Sequence, residues 1–249
     1  MLTVRFQRRV EEPSSPTPVQ HGVWEDDHIQ TATESFTLDE VTLLPPCQPT
    51  KIIGVGKNYA DHAQEMGGQV PAEPLLFLKV PSSLTAPGQP IVLPQVSQMV
   101  HYEGELAVVI GKLASRVPIE TAQEYIAGYT CGNDVTARDF QRKDNQWTRA
   151  KGFDSFCPLG PCLRPGPLDP ATRLETRLNG KIVQSAPISQ MVFSPYFLVA
   201  YISQIMTLYP GDVILTGTPA GVGSLSPGDL VNITIEGIGT LTNPVISGP

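Results

Sequence analysis

The densest chemistry in this sequence lies in three acidic side chains, Glu103, Glu105 and Asp134. Glu103-Gly104-Glu105 opens the apolar run LAVVIG, and residues i and i+2 of a strand project from one face. Two carboxylates held side by side against an apolar strand repel each other unless a cation sits between them. A hard divalent ion that prefers oxygen ligands meets that need. Asp134, at the end of GYTCGND, could supply a third oxygen. The same residues also fit two exposed glutamates at a strand mouth and a turn aspartate, and the pattern alone leaves both readings open.

His62 and Glu65 form a second pair, spaced i, i+3 on one face of a helical turn. A carboxylate there can orient the imidazole, and the oriented imidazole can take a proton from water. A solvated helix with an incidental pair gives the same spacing. Lys151, between RKDNQWTRA and the turn-rich GFDSFCPLGP, reads as a loop lysine, and Arg138 and Gln141 carry no signal of their own.

These side chains must be positioned by many short elements. Twenty-five prolines and 22 glycines are spread as punctuation between short apolar runs, a pattern of strands joined by turns. KIIGVG, LLFLKV, the run beginning HYEGELAVVIG and GYTCGNDVTARD read as strands, and YPGDVILTGTP, SPGDLVNITIEG and GTLTNPV continue the rhythm of strand and turn. NYADHAQEMGG predicts one or two helical turns ending at its glycine pair. PIETAQEYIAG predicts a helix with Thr121 as N-cap. Ser194-Pro195 predicts another, through about Met206, with serine at the cap and proline in the first turn. The fold class expected is mixed α/β but β-dominated, a mostly antiparallel roll or sandwich with few short helices. Residues 1–50, closing in LLPPCQPT, read as a small N-terminal subdomain or arm, and residues 51–249 as the main domain.

Composition narrows the function. A chain of 249 residues buries a sizeable core, and a net charge of −7 leaves no basic surplus for general nucleic-acid binding. No run is long enough to span a bilayer, and MLTVRFQRRVEEPSSP has no apolar stretch that would make a secretory signal. Cys47, Cys131, Cys157 and Cys162 match no zinc spacing, so free thiols in a reducing, cytoplasmic compartment are expected.

Taken in order, IIGVGKNYADHAQEM, PLLFLKVPSSL, HYEGELAVVIGK, GYTCGNDVTARDFQ, QWTRAKGFDSFCPLGP, NGKIVQSAPISQMVF and YPGDVILTGTPAGVG resemble the fumarylacetoacetate hydrolase family, particularly its short members. The resemblance runs from about Lys51 to the C-terminus. It implies a mixed β-sandwich roll, a homodimer, and Mg²⁺ or Mn²⁺ held by Glu103, Glu105 and Asp134. It also implies His62 and Glu65 on a lid helix as the catalytic pair, with Lys151 and Gln141 in the active site. Thr218, Arg138 and Lys57 would meet the substrate, Lys57 standing where many members carry arginine. The implied activity is hydrolysis of a C–C bond in acylpyruvates, giving pyruvate and a carboxylic acid. The alternative is an oxaloacetate decarboxylase or keto–enol tautomerase, which would use the same metal and enolate. A catalytically inert binding module of the same fold would not need so complete a polar set.

Overall fold

The computed structural model of the chain describes residues 1–9 and 17–248. Its largest sheet has twelve strands. The strand Gly104–Ile110 lies near its middle, paired antiparallel with Ile126–Asn133 on one side and Val213–Leu215 on the other. Ile126–Asn133 continues the sheet through Cys157–Arg164, while Val213–Leu215 pairs in parallel with Ile52–Gly56, which pairs with Leu75–Lys79. Most pairings are antiparallel, as the short spacing between turns requires.

The strand Gly104–Ile110 is buried along its whole length. That is why its sequence is a continuous apolar run rather than an alternation. Leu106, Val108 and Ile110 face the main core. Ala107 and Val109 face a smaller one with Ile52, Cys157, Leu159, Val213 and Leu215. Glu103 and Glu105 share the parity of that second face, so the carboxylates emerge where the smaller core ends. A five-stranded sheet, including Arg173–Leu178, Leu230–Ile235 and Gly239–Ser247, packs against the large one. Its Val231, Ile233 and Ile235 alternate inward as period two demands.

The N-terminal strands Leu2–Arg8, Gln20–Glu25, His28–Gln30 and Ser35–Thr37 extend the large sheet as successive antiparallel neighbours. They join it where Thr3 faces Leu163, and they place Val4, Phe6, Ile29 and Phe36 in the main core. Residues 10–16 of the expected 1–50 unit lie outside the described residues. The helix Pro195–Ile205 starts as expected, with the Phe197 N–H donating to Ser194 Oγ. No helix among the described residues is long and apolar enough to cross a membrane.

Three local expectations need correction. PIETAQEYIAG is a 3₁₀ helix over Ile119–Tyr125 with Pro118 at its N-cap, and Thr121 lies inside it. The strand read through Ala137-Arg138-Asp139 stops short, because a helix spans Arg138–Lys143. Lys151 is not on a surface loop. It ends the helical turn Thr148–Lys151 and is buried.

Asp212 ties the strands beside the carboxylates to the preceding linker. Its buried side chain accepts from the Thr50 N–H at 2.9 Å, Thr50 Oγ1 at 2.7 Å, the Tyr209 N–H at 2.7 Å and Lys51 Nζ at 2.5 Å. Burial pushes this carboxyl up, but the Lys51 contact and the backbone donors outweigh it and hold it below the ordinary value. Its stabilisation is therefore complete above the unfolded value and lost as pH falls through the lower folded one. Asp212→Ala is expected to destabilise the fold by about 3 kcal/mol at neutral pH. The gap to the wild type should close on acidification. Chemical denaturation across that range checks both, and a small, pH-independent difference would contradict them.

Candidate active site

Each of Glu103, Glu105 and Asp134 offers a carboxylate oxygen within 4.8 Å of the others, and all three side chains are buried. The backbone fixes them. The Glu103 N–H donates to Asn133 Oδ1 at 3.0 Å, and the Asp134 N–H donates to the Glu103 carbonyl at 2.9 Å. Between the glutamates the two sheets touch: a Cβ on Gly104 would lie 2.1 Å from Thr176 Oγ1. Glycine is required there for the approach, and it lets Gln184 Oε1 accept the Gly104 N–H at 3.0 Å.

Cationic side chains surround the group. Lys151 Nζ donates to Glu103 Oε2 at 2.9 Å and also to Asp134 Oδ2. The Arg138 guanidinium donates to Glu103 Oε1 and, at 2.7 Å, to Gln141 Oε1. Lys79 Nζ lies 2.8 Å from Asp134 Oδ1, out of line for a hydrogen bond, so that oxygen has no hydrogen-bond donor. Glu105 Oε2 accepts the Gly217 N–H at 2.7 Å. Gly217 holds φ +98°, where its own added Cβ would also strike Asn58.

The electrostatics are uneven. Burial pushes the Glu103 carboxyl up, but Arg138 and then Lys151 hold it well below the usual carboxylate range. Glu105 is pushed well above that range by burial, then by Asp134 and Glu103. For Lys151, burial favours the neutral amine, yet Asp134 and Glu103 raise its pKa overall. Three converging carboxylates, one of them short of cationic partners and another with a buried oxygen that accepts no hydrogen bond, fit a hard divalent cation in oxygen type and spacing. They could hold one.

A cavity of about 200 Å³ opens onto this group. All the site residues expected from the sequence line it except Glu65, which reaches it through His62. His62 is buried, and its Nδ1 donates to Glu65 Oε2 at 3.0 Å. Glu65 Oε1 in turn accepts the Gly221 N–H at 3.0 Å. A neutral imidazole held this way has its Nε2 free to take a proton. Thr218 donates its hydroxyl to the Gly104 carbonyl at 2.8 Å and accepts from Gln184 Nε2 at 2.8 Å, so toward a ligand it can only accept. Gln141, its oxygen engaged by Arg138, keeps its amide N–H groups for a ligand.

Residues 51–246 match the family described as fumarylacetoacetate (FAA) hydrolase C-terminal. The chain belongs to this family. It is 46% identical over 220 residues to the human mitochondrial oxaloacetate tautomerase FAHD2A, covering 83% of this chain and 70% of that protein. It is similar in structure to a 5-carboxymethyl-2-hydroxymuconate delta-isomerase from Mycobacterium smegmatis, with TM-score 0.90, 47% identity and complete coverage of both chains. A fumarylacetoacetate hydrolase from Exiguobacterium antarcticum gives TM-score 0.88 at 36% identity, again over both whole chains.

Within this member of the family, sequence reasoning missed several residues that build the site. Lys79 closes the apolar strand LLFLK, and its buried ammonium also donates to the Val135 and Lys151 carbonyls at 3.2 and 2.7 Å. A lysine ending so apolar a strand was the available signal, since a buried cation needs such partners. Gln184 reaches the site from the second sheet, and no local pattern announces it. Arg142 follows Arg138 at i+4 on the same helix and lines the cavity, as do Phe77 and Trp147.

Proposed function

We propose that the protein catalyses the keto–enol interconversion of oxaloacetate at a site that holds Mg²⁺ or Mn²⁺ between Glu103, Glu105 and Asp134. The observation that carries this reading is one small cavity, of about 200 Å³, bounded by the carboxylate group, the Lys151 ammonium and the Glu65-oriented His62. The identity with an oxaloacetate tautomerase supports the same choice.

A divalent ion held there would supply Lewis acidity to the 2-oxo group of the substrate. His62 Nε2 takes the C3 proton, and the C3–H electrons form the C2–C3 double bond. Glu65 fixes the ring for that transfer and steadies its positive charge. Lys151 stabilises the negative charge that gathers on O2. The interconversion balances when O2 takes a proton from solvent and His62 gives the C3 proton up to solvent.

A second reading is C–C hydrolysis of an acylpyruvate, favoured by the same His62 geometry, because an oriented imidazole can equally deprotonate a water for attack at C4. The bond between C3 and C4 then breaks and its electrons return to the pyruvate fragment as the enolate. Decarboxylation of oxaloacetate passes through that enolate without water attack.

One panel separates these reactions. With Mg²⁺ or Mn²⁺, the protein should accelerate both the decay of the oxaloacetate enol and C3 deuterium exchange, and a chelator should abolish the effect. The ion should also raise the melting temperature, as any ligand selective for the folded state must. Cleavage of acetylpyruvate without oxaloacetate interconversion would move the assignment to hydrolysis. No reaction with either, and no thermal response to the ions, would overturn both.

A further inference from the structure

The carboxylate group and the His62–Glu65 pair are joined by one loop. Residues 217–222 follow the strand Val213–Leu215 without regular structure, and they reach both halves of the site through glycine N–H groups. Gly217 donates to Glu105 Oε2 at 2.7 Å, and Gly221 donates to Glu65 Oε1 at 3.0 Å. Between these two contacts the buried Gln184 of the second sheet grips the loop. Its Nε2 donates to the Thr218 hydroxyl and to the Pro219 carbonyl, each at 2.8 Å. Its Oε1 accepts the Gly104 N–H at 3.0 Å, between Glu103 and Glu105. We infer that Gln184 is a positioning residue that holds the carboxylate group and the His62–Glu65 pair in register with each other. The inference rests on the proposed reading that both halves act on one substrate.

The fold aims this side chain. Gln184 lies on the strand Lys181–Pro187, which pairs antiparallel with Arg173–Leu178. In that ladder Thr176 faces Gln184 but Arg177 faces Ile182, so Val183 is an extra residue in a bulge. Regular alternation would put Ile182 and Gln184 on one face. The bulge separates them: Ile182 is 47% exposed and Gln184 is 2% exposed.

Both the loop and the glutamate strand press against that bulge. A Cβ on Gly221, which holds φ +104°, would lie 2.0 Å from the Val183 carbonyl oxygen, and one on Gly104 would lie 3.2 Å from Gln184 Oε1. The ends of the loop have their own anchors. Asn58 Nδ2 donates to the Thr216 carbonyl at 2.7 Å, and the Tyr102 hydroxyl donates to the Gly221 carbonyl at 2.9 Å. Gln184 holds the middle.

Removing the amide leaves the Gly104 N–H and the Pro219 carbonyl without these partners, both in buried residues, and the loop must shift to satisfy them. Three amide protons read that shift directly. The Gly104 N–H meets Gln184 itself, the Gly217 N–H meets Glu105, and the Gly221 N–H meets Glu65. Gln184→Met deletes every hydrogen bond of the side chain at nearly the same length. Gln184→Glu keeps an oxygen for the Gly104 N–H but loses the amide donors to Thr218 and Pro219, and it carries the test if the first variant fails to fold.

Hydrogen exchange at isotopically labelled glycine amides, Mn²⁺ binding followed by electron paramagnetic resonance, and C3 deuterium exchange of oxaloacetate together test the assignment. Protection at Gly217 and Gly221 should be lost in both variants, and protection at Gly104 in Gln184→Met but not in Gln184→Glu. Mn²⁺ affinity should fall by about 10–100-fold in Gln184→Met, the scale for an outer partner of metal ligands. At saturating Mn²⁺ its kcat should fall by about 10²-fold with KM little changed, as for a reacting group displaced by about 1 Å. The same substitution should add little to His62→Ala, because it acts through the placement of that imidazole. Wild-type protection at Gly217 and Gly221 in either variant would overturn the inference, as would losses that simply multiply in the double variant. If the wild type leaves oxaloacetate unchanged, loosened glycines and weakened Mn²⁺ binding would uphold the positioning and overturn the reaction alone.

Discussion

Lys151→Met is expected to lower turnover by about 10²-fold or more, the scale for removing one preorganised donor from a developing oxyanion, and to destabilise the metal-free protein as well. The second effect follows from burial. Lys151 is 2% exposed, and its ammonium is shared by Glu103 and Asp134. Methionine keeps most of the stem but leaves both carboxylates short of a cation in a dry site. Breaking a buried pair by removing one partner costs about 3–5 kcal/mol. A divalent ion neutralises the same oxygens, so adding Mg²⁺ should recover much of the lost stability and little of the turnover. Denaturation and kinetics, each with and without the ion, test the two halves separately. Normal turnover would confine Lys151 to a structural role. Unchanged stability in metal-free buffer would mean that Arg138 and Lys79 already suffice for the carboxylates.

The sequence pattern revealed what depends on local periodicity. Glu103 and Glu105 were visible because a strand's period of two puts them on one face, and the apolar run after them marked that face as buried. His62 and Glu65 were visible through helical spacing, and Ser194-Pro195 through cap chemistry. What stayed hidden depends on long-range pairing. Whether Lys79 points into a site or into solvent is set by the register of Leu75–Lys79 against Ile52–Gly56, which no local pattern specifies. Lys151 looked like a surface charge because its two partners lie 48 and 17 residues away in sequence. Gln184 comes from the opposing sheet, and the left-handed backbone at Lys57 has no residue-type signal, since glycine or asparagine would be the usual occupant. Resemblance to the family supplied the expected roles of Lys151 and Thr218, which spacing could not. It gave nothing on Arg142.

His62→Ala should separate reactions that begin with proton transfer from the one that does not. The imidazole is buried against the cavity and fixed by Glu65, which the Gly221 N–H anchors from the far loop. Replacing it leaves, among the described residues lining the cavity, no other side chain placed to act as a base toward C3, because the carboxylates are committed to cations or to the ion they could hold. Enolisation of oxaloacetate should therefore fall by about 10²–10⁴-fold, the range for a lost general base. Acylpyruvate hydrolysis should fall by a similar factor, since the attacking water loses the same base. Decarboxylation of oxaloacetate needs only stabilisation of the enolate by Lys151 and the ion, so its loss should be much smaller. The variant should stay folded, because truncation opens onto an existing cavity and leaves Glu65 its Gly221 partner. All three reactions measured on one preparation, with the melting temperature as control, give the comparison. Equal losses in all three would mean that His62 acts by shaping the closed cavity rather than by moving a proton. A preserved rate of C3 deuterium exchange would remove it as the base altogether.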